Sequence, residues 1–206
     1  MGRPTFVHRA NQPFEVDGRV LFDSRSVAVT AITVAFDAPA GVHRALVGQR
    51  GSAVDHSGLW CLVCGYLDWD ESLDDAVRRE VFEEAGIDLH ALEARGDAIV
   101  PPQPIFVQSD PASHRQNVTA RFLVDLRAPV TPTAENAEPN EVADLRWIEV
   151  AHAPIAELAW AFNHDKILAE LADFYASERA RGVLDVGSTR RFYRRFVERR
   201  YPFGER

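Results

Sequence analysis

The chain of 206 residues has two cysteines, one methionine and a single lysine, Lys166, so 22 of its 23 cationic side chains are arginine. Two cysteines cannot build a disulfide framework, and a chain of this length buries enough surface to fold without one. A reducing, cytoplasmic setting is therefore expected. No apolar run approaches the roughly 18 residues that cross a bilayer, and Met1 to Arg19 lacks the apolar stretch of a secretory signal. No membrane association is expected. Positive charge is also short: 23 Lys and Arg face 31 Asp and Glu, for a net charge of −8. Coating nucleic acid requires cations that neutralise phosphates, so the body of the protein is not expected to do so.

The charge is uneven along the chain. Residues 187–206 carry seven Arg and two Glu, which leaves −13 on the remainder. In the basic C-terminal segment, residues 182–206, Arg190, Arg191, Arg194 and Arg195 alternate in pairs with Phe192-Tyr193 and Phe196-Val197, the pattern of an amphipathic helix. Packing on the acidic body or on a sister subunit is expected. Capping of a substrate pocket and contact with nucleic acid through this tail are the alternatives.

Phe14 to Phe22 reads as a hairpin around Asp17-Gly18, inside an N-terminal extension of residues 1–26. Val27 to Phe36 alternates and is rich in β-branched residues. Further strands are expected at Arg44 to Gln49, Leu59 to Cys64, Ala98 to Gln108, Val118 to Leu126 and Leu145 to Val150. Ser72 to Ala85 is the clearest helix, with Ser72 and Asp75 at its start and Gly86 as its stop. Asn163 is expected to cap a second long helix through Arg181. Strands and helices in irregular order point to an α/β fold with a mixed sheet. Cys61 and Cys64, three apart in a strand, would face opposite ways as buried thiols.

The chemistry is concentrated between Gly65 and Ile87. Glu80, Glu83 and Glu84 stand at i, i+3 and i+4 on a helix, so three carboxylates share one sector. Like charges so placed repel, and a divalent cation with a preference for oxygen, Mg²⁺ or Mn²⁺, makes the cluster tolerable. Gly65, at a strand end, would let a main-chain carbonyl approach the same ion. Nine positions are specified in all: Gly65, Glu71, Arg79, Glu80, Val81, Glu83, Glu84, Gly86 and Ile87.

At these positions and spacings the segment resembles the Nudix box, the signature of the Nudix hydrolases, and the likeness extends over residues 27–181. The resemblance implies an α/β/α sandwich with a central mixed sheet. It also implies Mg²⁺-dependent hydrolysis, with Mn²⁺ as an alternative, of the pyrophosphate linkage in a nucleoside diphosphate derivative. Metal ligands would be Glu80, Glu83, Glu84 and the Gly65 carbonyl, with Glu71 and Arg79 a structural ion pair. The chain departs from the usual Pro-Gly-Gly just before the box, reading Val63-Cys64-Gly65, so the loop through Asp68 and Asp70 is expected to run differently, with those acids as possible extra ligands. A base for the attacking water is expected from Glu83 or from the loop holding Glu135, Glu138 and Glu141. Glu141, six residues before Trp147, is the choice by resemblance. His114 and Arg115, in the loop between two expected strands, are candidates for substrate contact. Pro102, placed as a proline is in ADP-ribose pyrophosphatases, favours ADP-ribose or a nucleoside diphosphate sugar over (d)NTP. A homodimer is expected. The competing reading is a Nudix domain that senses a nucleotide without hydrolysing it, which would have no need of all three carboxylates.

Overall fold

A computed structural model describes residues 13–22, 26–111 and 116–200. Strands β1 (Pro13–Val16) and β2 (Arg19–Phe22) form a separate hairpin whose turn residues, Asp17 and Gly18, take φ of 51° and 74°. That backbone is what an Asp-Gly turn supplies.

The main sheet comprises β3 (Ser26–Asp37), β4 (Val42–Arg50), β5 (Trp60–Cys61), β6 (Val63–Tyr66), β7 (Ala98–Ile99), β8 (Phe106–Pro111), β9 (Gln116–Leu126) and β10 (Val142–Glu149). Its spine runs β10-β4-β3-β9-β7, with β5 added to β4, β6 to β3 and β8 to β9. β3 and β9 are parallel and the other pairs antiparallel, so the sheet is mixed. Helices α1 (Leu73–Ala85) and α2 (Leu89–Ala94) cover one face, and α3 (His152–Ala156), α4 (His164–Ala180) and α5 (Ser188–Arg200) the other. The result is the α/β/α sandwich that the motif implied.

Two apolar layers follow from the period of two along each strand. Val29, Ala31 and Ala35 of β3 pack with Ala76, Val77, Val81 and Ala85 of α1, while Ile32 and Val34 pack with Leu168 and Leu171 of α4. The sequence of β3 reads as a half-buried strand, but residues 29–35 are all buried, because helices lie on both sides of a central parallel pair.

Several boundaries differ from expectation for identifiable reasons. The strand expected over Ala98 to Gln108 is split, since Pro101, Pro102 and Pro104 have no N–H to donate to a ladder. The strand expected over Leu59 to Cys64 changes partner at Leu62, from β4 to β3. That switch resets the alternation, so the Cys61 and Cys64 thiols come close enough to influence each other's ionisation rather than facing opposite ways. Asn163 does sit at the start of α4, but in the left-handed region at φ 54° and with no side-chain cap bond. α2 and α3, of six and five residues, are too short to show a helical period.

The basic C-terminal segment is a helix docked on the protein's own body. Arg190 Nε pairs with Asp125 Oδ2 at 3.3 Å, Arg191 with buried Glu178 at 2.6 Å, and Phe192 meets Phe174 edge-on at 5.3 Å. Burial pushes the Asp125 carboxyl up to about 6, with Arg190 pulling the other way. Its folded value exceeds the ordinary value of 3.8, so the folded state holds a proton that the unfolded chain has released. Stability therefore falls as pH rises from about 4 to 6 and then levels off. Asp125→Asn should remove that slope, gaining at most about 3 kcal/mol at pH 8 relative to pH 4 in urea unfolding. An unchanged pH dependence would contradict the assignment.

Candidate functional site

The site is built on α1. Ser72 Oγ accepts from Asp75 N at 3.3 Å, and Asp74 and Asp75 occupy the first turn, where the helix dipole favours acids. The other end breaks that rule: Glu83 and Glu84 stand in the last turn with no basic residue, before Gly86 reverses the chain at φ 66°. Acids at a helix C-terminus each cost about 0.3–1 kcal/mol, so something other than helix stability keeps them there.

The three carboxylates do not share one environment. Glu80 and Glu84 are each 7% exposed and face the sheet, in line with Ala76, Val77 and Val81, whereas Glu83 is turned outward at the rim. Glu84 Oε1 accepts from the Cys64 N–H at a long 3.4 Å. Gly65 of β6 lies against Glu80 so closely that an added Cβ would overlap the carboxylate. Burial raises the Glu80 carboxyl to about 7, against the pull of Arg79, and drives Glu84 well above the ordinary range.

Arg79 ties the cluster together. Its Nη2 donates to Glu71 Oε1 and to the Tyr66 carbonyl, both at 2.8 Å, and its Nε to Glu71 Oε2 at 3.1 Å. Its Nη1 bridges Glu80 Oε1 at 2.8 Å and Glu83 Oε2 at 2.9 Å. Glu71 also accepts from the Asp68 N–H at 2.7 Å. The loop from Tyr66 to Glu71 is thus folded onto α1 by one guanidinium. Asp68 lies 3.7 Å from that same Arg79, and Asp70 is the loop's left-handed residue at φ 63°.

Glu141 approaches from the other side of the sheet edge. Its carbonyl accepts from Gly51 N at 2.7 Å, and the Asn140 carbonyl accepts from Ala53 N at 3.0 Å. The charge of Glu141 is felt at both Glu80 and Glu84, raising each. Glu135 and Glu138 are exposed, and only Glu138 touches Glu141, its N–H donating to Oε2 at 3.3 Å. His114 and Arg115 lie outside the described residues.

Gly65 and Glu141 open on a cleft of about 430 Å³. The sequence did not single out Arg50, Arg121, Phe162 or His164, which also line it. These residues are scattered over β4, β9 and the approach to α4, and no spacing links them.

Among the described residues no three acidic, His or Cys side chains are gathered closely enough to hold an ion as they stand, since Arg79 Nη1 lies between Glu80 and Glu83. The chemistry nonetheless fits a hard divalent cation: two buried carboxylates, a third at the rim, a side-chain-free strand beside them, and too little positive charge for all three.

A family model, the NUDIX domain, matches residues 25–171. The chain belongs to the Nudix family. Among curated relatives, this Nudix chain is 29% identical over 97 residues to the NAD-capped RNA hydrolase NudC of Stutzerimonas stutzeri (strain A1501), covering 47% of the chain and only 29% of that protein's length. Among solved structures it resembles the NUDIX domain of Shewanella oneidensis NrtR complexed with ADP ribose, at TM-score 0.56 and 19% identity, covering 73% of this chain and 88% of that one. It also resembles a bifunctional NMN adenylyltransferase/ADP ribose pyrophosphatase of Francisella tularensis complexed with AMP and a manganese ion, at TM-score 0.54 and 25% identity, covering 73% and 42%.

Gly51 is where the placement of Glu141 is most exposed to test. A Cβ there would run into the Asn140 carbonyl, a backbone atom that cannot swing away. Gly51→Ala should cost about 1–3 kcal/mol in urea unfolding, and wild-type stability would mean that Asn140 and Glu141 are not seated on β4.

Proposed function

We propose that this Nudix chain is a Mg²⁺-dependent pyrophosphohydrolase, able to use Mn²⁺, that cleaves a nucleoside diphosphate derivative, with ADP-ribose or a nucleoside diphosphate sugar ahead of (d)NTP. The observation that carries it is the pair of buried carboxylates, Glu80 and Glu84, beside the Gly65 strand end, which with Glu141 lines a cleft of nucleotide size. The nucleotide ligands of the related structures support the substrate class.

In this reading Glu80, Glu83, Glu84 and the Gly65 carbonyl hold the cation, which when bound neutralises charge on the pyrophosphate oxygens. Arg79 and Glu71 keep the Gly65 strand, the loop and α1 in register. Glu141 takes the proton from the attacking water, its backbone fixed by Gly51 so that the carboxylate is presented to the cleft. Glu83 is the second candidate for that proton, as the carboxylate of the three most open to solvent. Arg121 supplies positive charge along the cleft wall for the phosphates.

No helix among the described residues is long and apolar enough to cross a membrane. Two free thiols suit a reducing cytoplasm. The β1–β2 hairpin, with Phe14, Val16 and Val20 all exposed, suits a second copy of the chain as its cover.

Hydrolysis is tested by product release with Mg²⁺ across ADP-ribose, nucleoside diphosphate sugars, dNTPs and dinucleotides. Glu84→Gln should lower kcat at least about 100-fold, and Glu141→Gln by about 10² to 10⁴. Full activity in the first removes the metal site, and full activity in the second removes only the base. Silence across the panel, with tight binding of one member, would favour the sensing alternative.

A further inference from the structure

Phe162 and Asn163 are consecutive non-glycine residues in the left-handed region, at φ 59° and 54°, and Phe162 lines the cleft. A bulky aromatic there is a genuine conformational outlier and persists only where its surroundings impose it. Here the imposing contacts are the Trp60 N–H to Ala159 carbonyl bond at 2.8 Å and the Ala161 N–H to Trp60 carbonyl bond at 2.9 Å, around a bridge between Trp60 and Trp160. They clamp the segment just before the turn. The Arg50 guanidinium lies 4.9 Å above the centre of the Phe162 ring and is itself held by Asp55. Arg50 covers one face of Phe162, and the stacked pair makes an aromatic–guanidinium wall of the kind against which a base stacks.

Two polar groups lie on the same cleft, and a backbone partner fixes the polarity of the first. His164 is 2% exposed, and its Nδ1 accepts from the Leu62 N–H at 3.0 Å. A backbone N–H only donates, so in the neutral ring the proton sits on Nε2, leaving His164 a donor and nothing else toward the cleft. Burial, with Arg121 and Arg50 nearby, lowers this ring to about 3, so it stays neutral. Asn117 gives its Nδ2 to the Tyr66 hydroxyl at 3.5 Å, while its Oδ1 is buried without a partner. A buried acceptor left unpaired is costly and calls for a ligand donor.

We propose that this wall is a subsite for a 6-aminopurine base. The base stacks against the wall of Phe162 and Arg50, its ring nitrogen N7, an acceptor in adenine and hypoxanthine alike, accepts from His164 Nε2–H, and the exocyclic amino group donates to Asn117 Oδ1. The orientation follows from the layout: His164 is two residues from Phe162, with ring centroids 5.5 Å apart, and so meets ring atoms, whereas Asn117 belongs to β9 and is reached by the group that projects. The subsite rests on the nucleotide reading above for its ligand class, and it goes further by choosing the base.

The test uses the full chain and two readouts. Calorimetric titration compares ADP, IDP and CDP, and steady-state kinetics compare ADP-ribose with its hypoxanthine analogue. IDP exchanges the amino donor for a carbonyl and so sets acceptor against acceptor at Asn117. ADP should bind at least tenfold more tightly than IDP or CDP, with the kinetic difference in KM rather than kcat. His164→Ala would also strip the Leu62 N–H of its acceptor, so Asn117→Leu is the informative variant, and it should bring ADP and IDP within about twofold. Equal affinities, a preference for IDP or CDP, or an adenine preference that survives Asn117→Leu would each overturn the subsite. Adenine preference without hydrolysis of any compound would support the subsite and sink the hydrolase reading; hydrolysis without base preference would do the reverse.

Discussion

One guanidinium holds the candidate site in shape. Arg79 reaches Glu71 and the Tyr66 carbonyl with one side of its fork and Glu80 and Glu83 with the other. Arginine's planar set of donors can serve four acceptors at once, where a lysine would offer a single point charge. Because the Tyr66 carbonyl is among those acceptors, the strand end at Gly65 and the helix at Glu80 cannot move independently. The absence of a side chain at Gly65 is what lets them meet. The remainder of the site, the rim position of Glu83 and the path of the loop through Asp68, follows from that one knot.

The site is expensive in stability, and the fold carries the cost elsewhere. Glu84 is buried with one long hydrogen bond, Glu80 shares Arg79 with Glu71 and Glu83, and both Glu83 and Glu84 oppose the helix dipole. Against this stand two extensive apolar layers on a sheet buried on both faces, with α1 anchored by Ala76, Val77 and Val81 in one layer and α4 by Leu168 and Leu171 in the other. The helix that bears the acids is therefore gripped by its apolar residues, while Glu80 and Glu84 are buried beside them against the sheet and Glu83 stands at the rim. The docked helix α5 follows a similar logic, with Arg190 meeting the buried acid Asp125 and Arg191 joining Arg181 on the buried acid Glu178.

What could be read from the sequence was whatever local rules determine. The limits of α1 follow from Ser72 and Gly86, the hairpin from Asp17-Gly18, and the carboxylate spacing from helical geometry. The α/β/α arrangement followed from the motif and the order of elements. Tertiary choices stayed hidden. The change of partner at Leu62 turns Cys61 and Cys64 toward one another, and nothing in Cys-x-x-Cys announces it. Burial separates Glu80 and Glu84 from Glu83, although all three look alike on a helical wheel. The cleft wall of Arg50, Asn117, Phe162 and His164 comes from three separate stretches brought together by the sheet, and Phe162 reaches it through a backbone conformation that its residue type disfavours. Asn163, by contrast, was noticed for the wrong reason, as a cap, when its left-handed backbone is what shapes the turn.

The central claim is that Glu80 and Glu84 form a divalent-cation site on the Gly65 strand. It is tested most directly by titrating Mn²⁺ into the full chain and following the free ion by electron paramagnetic resonance, with Glu80→Gln and Glu84→Gln alongside. The account predicts saturable binding by the parent and at least tenfold weaker binding by both variants, with unchanged far-ultraviolet circular dichroism. Binding of equal strength by all three proteins, or no binding by the parent, would contradict it.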